Sequence, residues 1–257
     1  MSSNRLSKKR QSRAKSNRRV AHGFKHSYSE SDYRDHLVAE CLPHFRTIRP
    51  RLLTWFRQHR RDFPWRRTFN WFHLLMAEMM LRRTRADQVL PVYLEFTRRY
   101  KTARSAGQAD SGELDELFYT LGLHWRSKQL RSTIQYIQDN YNKRQPRTNL
   151  DFQRIPGVGD YSSAMIRSRL YGDRAAAIDS NVARFFARVS GLEPHPENRR
   201  NPYIIQLADA FVRGKYVRDL NIAIVDFAAL VCLPRRPLCQ SCPLRSYCAT
   251  GKKNTSK

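Results

Sequence analysis

Four cysteines near the end of the sequence have the residue type and spacing of a metal site. Cys232, Cys239, Cys242 and Cys248 lie within the stretch VCLPRRPLCQSCPLRSYCAT, with six, two and five residues between them. Links this short bring all four sulfurs around one point. Four thiolates can hold a zinc ion in a tetrahedron or bind an iron–sulfur cluster. The spacing leaves both metals open, because only Cys239 and Cys242 form a CxxC pair.

The charge of the chain indicates the kind of partner. Among 257 residues, 48 Lys and Arg stand against 22 Asp and Glu, which gives a formal net charge of +26. Such a surplus favours a polyanion, most often nucleic acid. A nucleic-acid binder without a secretory signal is expected to work in a reducing compartment, which disfavours disulfides. The fifth cysteine, Cys41, is expected to be a small buried hydrophobe.

The patterning predicts an all-α protein behind a basic arm. The first 29 residues contain no acid and few apolar residues, which predicts a disordered basic arm over residues 1–30, or secondarily an organelle transit peptide. From about residue 36 apolar residues recur at steps of three and four, which predicts eight to eleven helices with short links. Gly172 and Gly191 are expected to end two of them. No apolar run approaches the roughly 18 residues of a membrane span.

Two glycines frame a candidate phosphate-binding turn. Residues 155–163 read IPGVGDYSS, in which Gly157 and Gly159 stand around one valine between two predicted helices. Glycine permits positive φ angles and leaves backbone N–H groups uncovered. Those groups and the start of the next helix can hold a phosphate. Asp160 is expected to cap that helix. A turn of this kind is by itself a weak signal.

Two carboxylates are the best candidates for chemistry. Asp179 in AAAIDSNVAR follows an apolar run and opens a predicted helix, where the local pattern alone favours a plain N-cap. Glu78 in LLMAEMML has apolar neighbours at helical spacing, so it is either partly desolvated or at the exposed edge of an amphipathic helix. Desolvation would raise its pKa and suit it to donate a proton.

Several motifs in one order resemble the helix-hairpin-helix DNA glycosylases of the endonuclease III and MutY superfamily. These are FPWRRT, AEMMLRRT, GLHWRSKQL, PGVG, IDSN and C-x6-C-x2-C-x5-C, between Arg60 and Cys248. The resemblance implies a [4Fe–4S] cluster on the four cysteines and two helical lobes with double-stranded DNA between them. One lobe would be a six-helix barrel, residues 70–175, with the hairpin at about 148–172. The other would join residues 31–69 to 176–250, leaving a short tail, 251–257.

The resemblance also implies roles for individual residues. Asp179 would stabilise the oxocarbenium-like sugar, supported by Asn181, and Glu78 would protonate the leaving base. Tyr161 stands where bifunctional endonuclease III enzymes carry a Schiff-base lysine, so we expect a monofunctional glycosylase. The DNA contacts implied are Gly157, Gly159, Arg82, Arg83, Arg235 and Arg236. Asp160 departs from the lysine or arginine of many relatives and weakens the case for a phosphate contact at that point.

Two substrates compete. Mig-type enzymes remove thymine or uracil opposite guanine, and MutY-type enzymes remove adenine opposite guanine or oxidised guanine. MLRRT and IVDFAALVC resemble the Mig pattern, whereas adenine enzymes more often show QQT where Arg82, Arg83 and Thr84 stand. Only nine residues follow Cys248, so we expect the C-terminal domain of many MutY-type enzymes to be missing. Thymine or uracil is therefore preferred, with adenine as the alternative.

A function of a different class remains as an alternative at this point. An iron–sulfur protein that binds nucleic acid without catalysis would use the basic arm and the cluster equally well, but it would have no use for Glu78 and Asp179. We expect a monomeric enzyme that acts on mismatched double-stranded DNA and not on a membrane. Its expected place is the cytoplasm with the nucleoid, with organelle import through the arm as the second option.

Overall fold

The computed structural model describes the backbone of residues 30–122, 124–141 and 144–253, with side chains from Val38 onward apart from those of residues 124–126. Within these ranges the regular structure is helical, and no strand occurs. The α-helices are α1 (Glu30–His59), α2 (Trp71–Met80), α3 (Ala86–Arg99), α4 (Ala103–Gly107), α5 (Ser111–Tyr119), α6 (His124–Tyr141), α7 (Asn149–Gln153), α8 (Asp160–Tyr171), α9 (Ser180–Ser190), α10 (Pro202–Val212), α11 (Val217–Leu230) and α12 (Ala249–Lys253). Three 3-10 turns join them, Pro64–Arg66, Pro196–Arg200 and Arg245–Tyr247.

The all-α class is confirmed, whereas the basic arm predicted for residues 1–30 lies almost wholly outside the described residues. The chain divides into two compact units, Met1–His36 and Leu37–Lys257. All packing below belongs to the second unit. None of the described helices is both long enough and apolar enough to cross a membrane.

Helix α1 runs through two prolines. Pro43 and Pro50 lie inside it, although proline in a helix interior costs roughly 3 kcal/mol. The apolar face of the same helix offsets this cost, since Phe45, Ile48 and Leu52 are at most 1% exposed. Burial of each such side chain contributes about 1.5–3 kcal/mol.

Two hydrophobic clusters organise residues 37–257. The C-terminal core joins α1 to α9, α10 and α11, and the central core joins α2 to helices α3, α5 and α6 and to the hairpin. Helix α8 contributes to both, with Ala164 and Met165 in the first and Ile166 in the second. Ala164 and Met165 pack outside the lobe predicted for them because α8 is buried on two sides. Trp65 also packs outside its predicted lobe, in the central core. The lobe boundaries themselves stay a prediction.

The hairpin consists of α7, a turn and α8. Thr148 and Asp151 form a reciprocal capping box at the start of α7. Gly157 turns the chain with φ of +83°, and its carbonyl accepts a hydrogen bond from Nη1 of Arg82 at 2.8 Å. Gly159 is the N-cap of α8, so the expectation that Asp160 caps this helix is wrong; Asp160 is its first residue and accepts from Gln153 instead. As expected, Gly172 and Gly191 end α8 and α9 in the left-handed conformation.

Replacement of Gly157 by alanine is expected to lower the free energy of unfolding by about 1–2 kcal/mol, the cost of a left-handed non-glycine residue. A Cβ there would also lie 2.7 Å from Cε of Met79 and 2.8 Å from the amide of Gln129. Urea unfolding measures the change. Gly159→Ala is the matched control, because its φ is −108° and an added Cβ would meet nothing within 4 Å. Equal losses in the two variants would contradict this account.

Candidate active site and cysteine cluster

A cleft of about 1330 Å³ brings the predicted chemical groups together. Its lining includes Glu78 from α2, Tyr161 from α8 and Asp179 at the start of α9. Helices of both hydrophobic cores contribute to its walls. Residues about a hundred positions apart in the sequence therefore face one space that is open to solvent.

Asp179 is held by donors on both carboxylate oxygens. Its Oδ1 accepts from the backbone N of Asn181 at 2.9 Å and of Val182 at 2.7 Å, so it is the N-cap of α9. Its Oδ2 accepts from the side-chain amide of Asn181 at 2.8 Å. The capping and catalytic interpretations of Asp179 are therefore compatible. The cap fixes the carboxylate at a helix N-terminus, which favours negative charge, and the same group lines the cleft.

Glu78 lies in the opposite kind of environment. No described residue forms a hydrogen bond or ion pair with its carboxyl group. The pKa of Glu78 is raised to about 7, chiefly by burial; the charge of Arg66 acts to lower it and that of Asp179 to raise it. Of the two interpretations offered by the sequence, the desolvated one is correct. A carboxyl group with a pKa near neutrality can hold a proton and release it during a reaction.

Tyr161 completes the group. Burial raises the pKa of its phenol well above the usual value, and the charges of Glu78 and Asp179 add to that effect. The three side chains are therefore near enough to influence one another electrostatically. A phenol in this environment stays neutral and cannot form a Schiff base, a reaction that requires an amine.

Asp179 is also connected to the cysteine stretch through one buried arginine. Nη1 of Arg184 donates to Oδ1 of Asn181 at 2.9 Å, and Nε of the same guanidinium donates to the carbonyl of Cys232 at 3.1 Å. Arg184 is 9% exposed, and it also donates to the carbonyl of Ala228. A chain of hydrogen bonds through Asn181 and Arg184 therefore links the carboxylate to the backbone of the first cysteine. Sequence analysis missed Arg184, whose partners lie up to 48 residues away.

The four cysteines lie near one another, as their spacing predicts, although no three of the described Cys, His, Asp or Glu side chains are arranged to hold a metal ion. They line one small cavity together with apolar side chains of α9 and α11, and none of the five cysteines forms a disulfide. The pKa of the Cys242 thiol is raised to about 11, chiefly by burial and with a smaller contribution from the neighbouring thiols. Arg188 donates to Sγ of Cys232 at 3.2 Å and to the carbonyl of Leu233 at 2.7 Å. The guanidinium of Arg188 can offset the negative charge of a thiolate at Cys232, so the donor set fits a group bound through sulfur.

The predicted DNA contacts occupy two places. Gly159, Arg82, Arg83 and Asn181 line the cleft, and Arg83 has an unusual positive φ of 58°. Arg235 and Arg236 are exposed in the turn that follows Cys232. Gly157 does not line the cleft. Its positive φ shapes the turn, and its carbonyl accepts a hydrogen bond from Arg82.

Further basic residues of the cleft were missed from the sequence. Arg61 and Arg66 line it next to the predicted groups, and Arg199 and Arg200 line it from the turn before α10. Arg66 belongs to the FPWRRT motif, but no feature of the neighbouring sequence indicates that it faces Glu78. One signal was available: Asp226 is a lone acid in the apolar run NIAIVDFAALVC, and a buried acid requires a partner.

Comparisons with known proteins agree with this architecture. Residues 76–201 match the HhH-GPD superfamily of base excision DNA repair proteins. Residues 232–248 match the iron-sulfur binding domain of endonuclease III, which assigns the four cysteines to an iron–sulfur site.

Individual relatives extend the match. A thymine/uracil-DNA glycosylase of Methanothermobacter thermautotrophicus is 32% identical over 203 residues, which cover 79% of this chain and 92% of that protein. The human adenine DNA glycosylase is 29% identical over 216 residues, which cover 80% of this chain and 40% of that protein. The solved structure of a thermostable thymine-DNA glycosylase superposes with a TM-score of 0.76 and 31% identity, covering 82% of this chain and 98% of that one. The chain belongs to the HhH-GPD superfamily of base excision DNA repair proteins.

The environment of Glu78 predicts a pH-dependent stability. Its pKa is about 7 in the folded protein against an ordinary 4.5, so the folded state holds a proton that the unfolded state releases between these values. Stability is then lost as the pH rises from about 4.5 to 7. Relative to the wild type, Glu78→Gln is expected to gain on the order of 1–3 kcal/mol across this window.

Urea unfolding of both proteins at pH 4.5 and 7.5 measures that gain. Glu116→Gln is the matched control, because Glu116 is exposed on α5. A constant difference between wild type and Glu78→Gln at the two pH values would contradict the burial of this carboxyl group.

Proposed function

We propose that the protein is a monofunctional DNA N-glycosylase that removes thymine or uracil opposite guanine. The observation that carries the proposal is the pairing in one cleft of a desolvated carboxyl group, Glu78, with a carboxylate held by three donors, Asp179. The thymine/uracil-DNA glycosylase and the thymine-DNA glycosylase to which the chain is similar support the choice of base. The basic surface supports a DNA partner, and a single chain is proposed to act alone.

The reaction follows from these two environments. The target nucleotide leaves the duplex and enters the cleft; a mismatch lowers the cost of extrusion. The bond between C1′ of the sugar and N1 of the base breaks, and its electron pair goes to the base. Glu78 supplies the proton that the departing base takes up, and Asp179 stabilises the positive charge on the sugar. Water then adds at C1′ and releases a proton to the vacated carboxylate, which leaves an abasic site.

Tyr161 limits the reaction to base release. Its neutral phenol lies beside Glu78 and Asp179 at the position where a lysine amine would be needed to attack C1′ and cut the strand. Arg82 and Arg83 at the cleft, together with Arg235 and Arg236 beside the cysteines, are proposed to contact the DNA backbone.

We further propose that the iron–sulfur site holds a [4Fe–4S] cluster on Cys232, Cys239, Cys242 and Cys248. When bound, the cluster supplies a fixed anchor for the chain between these residues. Arg188 bonds the backbone of that stretch, and Arg184 transmits its position to Asn181 and Asp179. The role proposed for the cluster is therefore to hold the site in place.

A panel of duplexes tests the reaction and the base. Duplexes with T·G, U·G, A·G or adenine opposite oxidised guanine are incubated with protein and analysed with and without alkali. We expect strand cleavage at T·G and U·G only after alkali, because the enzyme leaves an intact abasic strand. Asp179→Asn is expected to slow base release on the order of 100-fold or more, whereas Asp139→Asn, an exposed acid on α6, serves as the control and retains full activity.

Each part of the proposal can fail separately in that panel. Processing of adenine alone would overturn the choice of base. Cleavage without alkali would overturn the monofunctional reaction. Equal rates in wild type and Asp179→Asn, or no product from any duplex, would overturn the enzymatic function.

Metal analysis of anaerobically purified protein tests the cluster. We expect about four iron and about four sulfide atoms per chain, and loss of both in Cys242→Ser, since each cysteine is a ligand. Cys41→Ser is the control, because Cys41 contacts the hydroxyl of Tyr203 and does not line the cysteine cavity. One zinc per chain without sulfide would contradict the proposal.

A further inference from the structure

A buried carboxylate behind the cleft has every acceptor position in use. Asp226 on α11 is 0% exposed. Its Oδ2 accepts from the backbone N of Arg61 at 3.1 Å and from Nη1 of Arg66 at 2.5 Å. Its Oδ1 accepts from Nε of Arg61 at 2.6 Å and from Nη2 of Arg66 at 2.7 Å. An ionised carboxylate offers about four such positions, so Asp226 has none left for a ligand.

Arg61 and Arg66 lie between this carboxylate and the cleft, and they present N–H donors to the cleft. Their side chains are 31% and 15% exposed, and both line the cleft beside Glu78 and Tyr161. Asp226 accepts from the side chain of Arg61 through Nε alone, so the terminal nitrogens of this guanidinium remain available to a ligand. We call Arg61, Arg66 and Asp226 the arginine wall. It carries a net charge of +1 and presents N–H groups but no acceptor.

The wall is also held rigidly. Both guanidiniums lie over the ring of Phe63, at 5.5 and 5.4 Å from its centroid. Phe63 in turn stacks on buried Trp65 at 4.7 Å, and Nη1 of Arg66 also donates to the carbonyl of Arg61 at 2.7 Å. Donors fixed in this way discriminate between ligands, because they cannot move aside when a ligand has no acceptor to offer.

We infer that the arginine wall binds a carbonyl oxygen of the extruded base, with Asp226 as the positioning residue that keeps the wall free of acceptors. The inference rests on the proposed function and names the chemistry by which the base is chosen. Thymine and uracil carry an acceptor, O4, where cytosine and adenine carry an amino group. An amino group facing fixed donors leaves both sides unpaired in a desolvated site. The positive charge also stabilises the negative charge that builds up on a departing pyrimidine.

The test compares two bases that differ by this one group. Uracil and cytosine are each placed opposite a tetrahydrofuran abasic analogue, so that neither is paired and both leave the helix at similar cost. Single-turnover base release is measured for wild type, Arg61→Gln, Arg66→Gln and Arg61→Lys. Glutamine introduces an acceptor and frees one acceptor position on Asp226 in Arg61→Gln and two in Arg66→Gln, so the preference for uracil over cytosine is expected to fall roughly 10-fold or more. Arg61→Lys keeps a donor-only wall and retains most of the preference.

Arg67→Gln is the matched control. Arg67 lies in the same segment, pairs with exposed Asp62 and is absent from the lining of the cleft; its preference is expected to equal that of the wild type. A purely structural role would lower both rates together and leave their ratio unchanged. An unchanged ratio in both glutamine variants, with U·G still processed, would overturn the inference alone. Failure of the wild type on U·G would instead overturn the proposed function.

Discussion

Two carboxyl groups in one cleft must be kept in different states if they are to do different work, and the rest of the site depends on this constraint. Within the part of the chain that the structure describes, no donor bonds the carboxyl group of Glu78, and the charge of Asp179 helps to keep it protonated. Asp179 takes the positive end of α9 and three hydrogen bonds. The division arises from surroundings alone, since the two side chains carry the same functional group.

The surroundings of Asp179 extend to the cysteine cluster. A single guanidinium, that of Arg184, joins Asn181 to the carbonyl of Cys232, and Arg188 binds the next residues of the same stretch. A chain of hydrogen bonds therefore links the carboxylate to the iron–sulfur site, which begins more than fifty residues further along the sequence. On the other side of the cleft, Asp226 gathers two arginines and fixes the charge that faces Glu78.

Local sequence patterns predicted most of the fold, and together with the family resemblance they predicted part of the site. Apolar periodicity predicts the helices, glycines mark the ends of α8 and α9, and the cysteine spacing predicts the convergence of the four thiols. Asp179 was found because its local role as a cap and its place in a motif coincide. The contacts that could not be predicted join distant parts of the chain: Arg61 and Arg66 meet Asp226 across 160 to 165 residues. The continuation of α1 through Pro43 and Pro50 could likewise not be predicted, because it depends on tertiary burial that outweighs the local cost of proline.

The division of labour between the two carboxyl groups is tested most directly by the pH dependence of base release under single-turnover conditions. With a T·G duplex, the rate of the wild type is expected to fall as the pH rises above about 7, the pKa of Glu78, because the proton donor is lost. Glu78→Gln is expected to be slow and to lack this fall. A wild-type rate that stays level to pH 9, or a variant that keeps the same fall, would contradict the role of Glu78 as the buried acid.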